Sequence, residues 1–329
     1  MRRRDFLILG SAAGALPFAL KARAQSAPKR IEVLMTPAEA DPNSQISVKA
    51  LADALHAAGW IEGRTVQLDI RWANNDSRRM ARLADEIVAA TPDVIVCHSP
   101  VATTAVRART QQIPIVFVIV SDPIVYGFVK TLARPGGNIT GISTFEFSLG
   151  SKWLELLKEA APHLKRAAIL YQSTTIPGWD TYLKSVMSAA PGSGLAVEPA
   201  PIEDETKIAG VIEAIAREPD SGLLVPPQNF NDTHSPQYIE MAARLRLPTI
   251  FSFAQHAMAG ALISYGVDFV DQFTQVAVYV DRILRGARPG ELPIEQPSRF
   301  ELVINLHTAR TLGLKIPATL LATADQVIE

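Results

Sequence analysis

The chain has 329 residues, of which 48% are hydrophobic and 20% charged, which excludes a disordered protein and suggests two domains. Residues 1–24 hold five of the 32 Lys and Arg and one of the 33 Asp and Glu, so the rest of the chain carries a net charge of −5. No basic run remains there, which disfavours a nucleic-acid partner or an anionic membrane partner.

Residues 1–24 have the features of an export signal. A basic start at 2–4 is followed by a modest apolar stretch at 6–20 and by Ala22-Arg23-Ala24, an A-x-A cleavage site. The order Arg3-Arg4-Asp5-Phe6-Leu7 favours the twin-arginine route and a periplasmic protein, with the general route left open. A membrane anchor is the alternative, but the interrupted stretch of 15 residues is shorter than the ~20 needed to span a bilayer.

The single cysteine, Cys97, cannot form an internal disulfide and lies far from the cleavage site, so no lipoprotein is expected.

After the signal, strand and helix patterns alternate. The predicted strands are 30–35, 65–73, 93–98, 113–121 and 139–144, and the predicted helices are 48–58, 77–90, 101–112 and a shorter one over 125–132. The run at 113–121 is rich in Val and Ile, which predicts a strand covered on both faces in the centre of a parallel sheet. The alternation in 65–73 suits an edge strand.

A second series repeats this scheme. Strands are predicted at 167–172, 195–202, 222–227, 248–253 and 261–267, followed by an amphipathic helix over 271–286, a Pro-rich stretch and a strand at 300–306. The extra helix and strand indicate that the chain returns to the first unit and then to the second. The predicted fold class is α/β, with two doubly wound parallel-sheet lobes joined by a three-segment hinge. Lobe 1 is expected to be 28–143 plus 267–296, and lobe 2 to be 144–266 plus 297–329.

Several stretches resemble one family. They are IPIVFVIVSDPIVYGFV (113–129), ARPGGNITGIS (133–143), LISYGVDFVDQF (262–273) and RILRGARPGELPIEQPSRFELVINLHTARTLGLKIP (282–317), with shorter ones between them. The chain is similar to ABC transporter substrate-binding proteins of the tryptophan/aromatic amino-acid type, the TrpX-like family. This resemblance implies a type I periplasmic binding protein fold. The chain departs from the family at Gln228, where an acid is common, and at Gln172-Ser173, where members often have Asn-Pro.

Candidate ligand-binding groups follow the predicted strands, because open α/β sheets bind ligands at the carboxyl ends of their strands. Ser99 and the helix start through Ala102 offer an anion seat, although Ser99 could instead cap the helix. Ser143 and Thr144 could add hydroxyl donors or be ordinary strand residues.

Two carboxylates are candidates for the ammonium group of an amino acid. Asp122, which follows Ser121, and Asp268 could each bind it, although each could instead cap the structure that follows. The remaining candidates are cleft-facing polar or aromatic residues in the second lobe: Ser173, Gln228, Asn229 and Tyr265. Tyr265, Phe230 and Trp179 could stack on an aromatic ligand or simply pack within the lobe.

Enzyme functions have weak support. Cys97 and His98 are adjacent on a strand, so their side chains should point to opposite faces, and the six histidines lack metal-ligand spacing. Catalytic serine, metalloprotease and phosphate-loop motifs are missing, and no cofactor or metal is predicted.

The sequence therefore predicts a monomeric solute-binding protein of an ABC importer. It would capture a small molecule and deliver it to a membrane permease with its ATPase. An amino acid is the expected ligand, with aromatic amino acids among the candidates. The alternative is a periplasmic sensor that docks on a signalling receptor. Neighbouring genes would separate the two.

Overall fold

The structure is a computed structural model that describes residues 27–144, 149–172, 179–297 and 299–329. Its strands are β1 (Lys29–Met35), β2 (Val66–Trp72), β3 (Val94–His98), β4 (Ile115–Val120), β5 (Ile139–Ser143), β6 (Arg166–Gln172), β7 (Ala196–Ile202), β8 (Ser221–Val225), β9 (Thr249–Phe251), β10 (Ile263–Val267), β11 (Phe300–Asn305) and β12 (Gln326–Ile328). Its helices are α1 (Pro42–Ala57), α2 (Ser77–Ala89), α3 (Ser99–Arg107), α4 (Leu149–Ala160), α5 (Trp179–Ser193), α6 (Ile208–Arg217), α7 (Asn229–Leu245), α8 (Ala254–Met258), α9 (Phe269–Leu284), α10 (Leu306–Leu312) and α11 (Ala318–Thr323).

The first sheet is parallel throughout, with the order β2-β1-β3-β4-β5. β2 lies at an edge, as its alternating pattern predicted. β4 is covered on both faces, because Val116 and Val118 pack with α1 and α9 while Ile115 and Phe117 pack with α2 and α3. The middle position belongs to β3, so the prediction that 113–121 lies inside the sheet was right and the prediction that it is the central strand was wrong.

Helix α9 returns to this first sheet. Phe273, Val276 and Val280 are buried in one cluster with Ile31 of β1 and Leu51 of α1. The apolar face of α9 therefore packs against elements that lie more than 200 residues earlier in the chain. The extra helix after the second series of strands had predicted this return to the first sheet.

The second sheet has the order β12-β11-β10-β9-β8-β6-β7. Its pairs are parallel except β10 with β11, which is antiparallel, with Val267 opposite Phe300. β10 runs toward the junction of the two sheets, and the chain comes back from α9 at that same end. β11 must therefore run away from the junction. β12, which was not predicted, pairs in parallel with β11 at the edge of the sheet.

The short helix predicted over 125–132 was wrong, since 123–132 forms turns. Gly127 has a φ of 67°, a left-handed value that ends a helical turn before it can propagate. Phe128 and Val129 are still buried in the core of the first sheet, which explains the helix-like spacing of their side chains.

β7 forms one edge of the second sheet and β12 the other, and the sequence of β7 is AVEPAPI. Pro199 pairs with Ile169 and Pro201 with Tyr171, so both prolines face the same side of the strand. Proline is tolerated in a sheet where its missing N–H would point to solvent.

Three segments join the sheets. They follow β5, precede α9 and precede β11, and described residues at their ends contact one another. The Ser143 N–H donates to the Glu295 carbonyl at 2.9 Å, and Arg299 Nε lies 3.9 Å from Asp268 Oδ2. We call the first sheet with α1–α3 and α9 lobe 1, and the second sheet with its helices lobe 2.

Candidate functional site at the junction of the two sheets

The carboxyl end of β3 carries Ser99, the predicted anion seat. Thr36, at the end of β1, donates its hydroxyl proton to the His98 carbonyl at 2.7 Å. The 2.7 Å contact between the Thr36 and Ser99 hydroxyls must therefore use the Ser99 proton. Ser99 begins α3 and His98 is its N-cap, so the alternative that Ser99 caps the helix is wrong. Its hydroxyl is already engaged within lobe 1.

Ala102 cannot contribute its side chain to a ligand. It is fully buried among the residues that pack α3 against the first sheet. Within the first turn of α3, Pro100 has no N–H, which further reduces the donors available for an anion. The predicted anion seat is thus a helix start with fewer free donors than its sequence suggested.

β4 ends in an irregular stretch before Ser121 and Asp122. Its register with β5 shifts between Phe117 and Val120, and Ile119 has a φ of 58°, a strained value for a β-branched residue. The Asp122 Oδ1 then accepts the N–H groups of Ile124 and Val125, both at 3.0 Å. Asp122 therefore acts as a cap, as the alternative interpretation of its sequence position predicted, but the structure that it caps is a turn.

β5 places Ser143 and Thr144 beside this turn. The Ser143 hydroxyl donates to the Ser121 carbonyl at 2.8 Å, and the Thr144 N–H donates to the Val120 carbonyl at 3.0 Å. Both residues are buried. The carboxyl edge of lobe 1 is therefore internally hydrogen-bonded, and a ligand role for its hydroxyls stays a prediction.

Asp268 caps α9 at the second crossing. Its Oδ1 accepts the N–H groups of Val270 at 2.8 Å and Asp271 at 3.2 Å. The second oxygen faces Arg299. The capping alternative is observed here too, and a contact with a ligand ammonium stays a prediction for the outer oxygen of either carboxylate.

In lobe 2, Gln228 stands at the end of β8 and is the N-cap of α7. Its side chain is 6% exposed, and its Oε1 accepts the Gln172 N–H at 2.9 Å. Its Nε2 is buried and has no hydrogen-bond partner among the residues that the structure describes. The neighbouring Asn231 amide donates to the carbonyls of Leu170 and Pro226, which holds the ends of β6 and β8 together.

The structure describes the other lobe 2 candidates to different extents. Ser173 lies outside the described residues. Asn229 is the first residue of α7, placed beside Gln228, and its side chain is outside the described part. The Tyr265 ring stacks on the Phe300 ring, with 5.7 Å between the ring centroids, and packs against the lobe 2 core. This is the alternative in which Tyr265 simply packs within its lobe. The Phe253 ring meets Phe269 of α9 at 4.6 Å, which brings aromatic side chains of both lobes together at the crossing.

Sequence reasoning missed two residues near this edge. Gln272 is 1% exposed, and within the described ranges neither its amide nitrogen nor its amide oxygen has a hydrogen-bond partner. Its position four residues before Val276 on the inward stripe of α9 could have revealed it. His98 lies with its ring 6.2 Å from that of Phe273, and burial lowers its pKa to about 4. Cys97 packs on the opposite face of the sheet, as predicted.

Among the described residues, no group of His, Cys, Asp and Glu could hold a metal ion. Over the same ranges, each helix is too short or too polar to cross a membrane. The junction instead offers hydrogen-bonding and aromatic groups, which suits recognition of a small organic solute.

The family model for ABC transporter substrate-binding proteins matches residues 34–328. The chain belongs to this family. It is 26% identical over 274 residues to a tyrosine-binding protein from Clostridioides difficile, a match that covers 83% of this chain and 78% of that protein. The resemblance inferred from the sequence is thereby confirmed.

Two solved structures support this assignment. An ABC domain from Streptococcus pneumonia in complex with L-Trp superposes with a TM-score of 0.83 at 26% identity, over 92% of this chain and 100% of that one. A conserved domain protein from Vibrio cholerae superposes with a TM-score of 0.82 at 27% identity, over 91% and 99%. The predicted two-lobe type I periplasmic binding fold is confirmed.

Proposed function

We propose that this chain is the exported solute receptor of an ABC importer and that its ligand is an amino acid with an aromatic side chain. The observation that carries the proposal is the family match over residues 34–328, together with the likeness to a structure that holds L-Trp. The relative that binds tyrosine supports the same ligand class.

The mechanism we propose is closure of two lobes on the ligand. The limits are those predicted from the sequence, 28–143 plus 267–296 for lobe 1 and 144–266 plus 297–329 for lobe 2. Three adjacent crossing segments support a hinge, since few backbone dihedrals need change there. A ligand that touches both lobes only when they are closed stabilises the closed state by its differential affinity.

The partners in this proposal are a membrane permease and its ATPase, which receive the ligand from a monomeric receptor. The signal at residues 1–24, with its Arg3-Arg4 pair, supports export to the periplasm through the twin-arginine route.

Titration calorimetry of the mature chain, residues 25–329, against the twenty amino acids tests the ligand. We expect L-Trp or L-Tyr to bind with micromolar or tighter affinity. If no amino acid binds at millimolar concentration, the uptake function is wrong. Small-angle X-ray scattering tests the closure, since a saturating ligand should reduce the radius of gyration. An unchanged scattering curve with a bound ligand would contradict the hinge.

A further inference from the structure

The orientation of the Gln228 side chain is fixed by its neighbour. The main-chain N–H of Gln172 can only donate, so the group that faces it at 2.9 Å must be the amide oxygen. The amide nitrogen therefore faces the other way, where it is buried and meets no acceptor among the described residues. Two N–H donors of one side chain are thus left without a partner in the part of the chain that the structure describes.

A second set of donors lies at the same place. Gln228 is the N-cap of the 17-residue helix α7, and its side chain makes no capping hydrogen bond. The N–H groups of the first turn, which have no partners within the helix, carry the positive end of the helix dipole. Donors and partial positive charge therefore coincide at the carboxyl end of β8.

The nearest acidic group along the helix is Asp232, whose N–H donates to the Gln228 carbonyl at 2.9 Å. Its Oδ1 lies 3.8 Å from His256 Nε2, so its carboxyl is directed toward α8. Desolvation raises the pKa of Asp232. Because its carboxyl is directed toward α8, it does not pair with the Gln228 amide nitrogen.

We infer that Gln228 Nε2 and the first turn of α7 receive an acceptor oxygen of the ligand, namely the carboxylate of the amino acid. This inference rests on the proposed function and adds a direction to it: the carboxylate lies against lobe 2. It replaces the expectation that Ser99 of lobe 1 binds the carboxylate, because the Ser99 proton is already given to Thr36. A buried donor left unpaired is costly, and a carboxylate relieves that cost with a charge-assisted bond.

The test is Gln228→Glu. Glutamate keeps an oxygen for the Gln172 N–H but replaces the two donors with negative charge. We expect the affinity for L-Trp and L-Tyr, measured by titration calorimetry at pH 7.5, to fall by about 30-fold or more. Gln237→Glu is the matched control, because it adds the same charge at an exposed position of the same helix and should change affinity less than about twofold.

A ligand-side change sharpens the test. Tryptamine has the ring and ammonium of L-Trp without its carboxylate. The ratio of L-Trp to tryptamine affinity should therefore be about tenfold smaller in Gln228→Glu than in the wild type. Gln228→Met, which removes the donors without adding charge, should reduce the same ratio and guards against a folding defect specific to the acid.

The outcomes separate the two proposals. A Gln228→Glu variant that binds L-Trp or L-Tyr as tightly as the wild type, or more tightly, overturns this inference alone. Equal affinity would mean that the carboxylate does not contact Gln228, and tighter binding would mean that the ammonium lies there instead. A wild type that binds neither compound overturns the aromatic amino-acid function and this inference with it.

Discussion

The carboxyl edges of the two sheets hold their polar groups in different states. In lobe 1, the hydroxyls of Ser99 and Ser143 and one oxygen of Asp122 are bonded to their own lobe. In lobe 2, Gln228 is bonded on one side only. The difference teaches that the residues most easily chosen from sequence are not the most available ones. A polar side chain is available to a ligand only where the fold has not already given it a hydrogen-bond partner.

The largest loss of stability should come from adding a side-chain atom in the tightly packed edge of lobe 2. A Cβ added to Gly266 would lie 1.7 Å from the Ser252 carbonyl oxygen, in backbone that cannot move away easily. We expect Gly266→Ala to lower the free energy of unfolding by about 3 kcal/mol and to abolish ligand binding.

Chemical denaturation would measure this loss. Gly210→Ala is the control, because the added Cβ meets nothing and alanine favours a helix interior, so a small gain is expected. Equal behaviour of the two variants would contradict close packing at the edge of lobe 2.

The carboxylate at the crossing gives the next effect. Asp268→Ala removes the cap of α9 and should cost about 1 kcal/mol, whereas Asp268→Asn keeps a capping oxygen and should cost less than half of that. Thermal melts compare their stability. If the charge also binds the ammonium, Asp268→Asn will weaken L-Trp binding about tenfold while Asp122→Asn will not. Equal binding by both variants and the wild type would assign both residues to capping alone.

A pH effect should come from His98. Because burial holds its pKa near 4, below the value in the unfolded chain, the stability contributed by the neutral ring is lost as the pH falls from about 6.5 toward 4. Asp41 opposes this shift only in part. His98→Phe should remove about 1 kcal/mol of the stability loss between pH 7 and pH 5.

Urea titrations at the two pH values would measure the difference. His307→Gln, at an exposed position, serves as the control and should follow the wild type. A wild-type profile in His98→Phe would show that the ring titrates normally.

Substitution of Gln272 tests whether lobe 1 also has a buried polar group that is available to a ligand. In the described part of the chain, the nitrogen and the oxygen of this buried amide both lack hydrogen-bond partners, so Gln272→Met should raise the free energy of unfolding by about 1 kcal/mol. If its amide also contacts the ligand, binding of L-Trp will weaken as stability rises. Denaturation and calorimetry on the same sample distinguish the two results.

The smallest effect is expected at Ser99. Because its proton goes to Thr36, Ser99→Ala should change the affinity for L-Trp less than about threefold while costing about 1 kcal/mol of stability. A large loss of affinity with unchanged stability would return the anion site to lobe 1.

The sequence predicted the architecture well because periodicity reports burial. The edge position of β2, the burial of β4 and the return of α9 to the first sheet all followed from the spacing of apolar residues. The same reasoning failed at 125–132, where buried Phe128 and Val129 imitate a helix that Gly127 interrupts. Strand direction also escaped it, since the antiparallel β11 depends on where the chain re-enters lobe 2.

The site was less predictable because its hydrogen bonds join residues far apart in sequence. Thr36 and Ser99 are separated by 63 positions, and Gln172 and Gln228 by 56. Neither pairing has a local pattern. The sequence could place Ser99 and Gln228 at strand ends, but only the structure distinguishes the engaged hydroxyl from the open amide.

The two prolines of β7 have a consequence for how this protein behaves when abundant. A strand from a second molecule that approached this free border would find no N–H donor at Pro199 or Pro201, so it could not complete a regular ladder there. Fibre growth from that border is thereby disfavoured. Replacing both prolines with valine, a residue of high strand propensity, is expected to make the protein precipitate at high concentration.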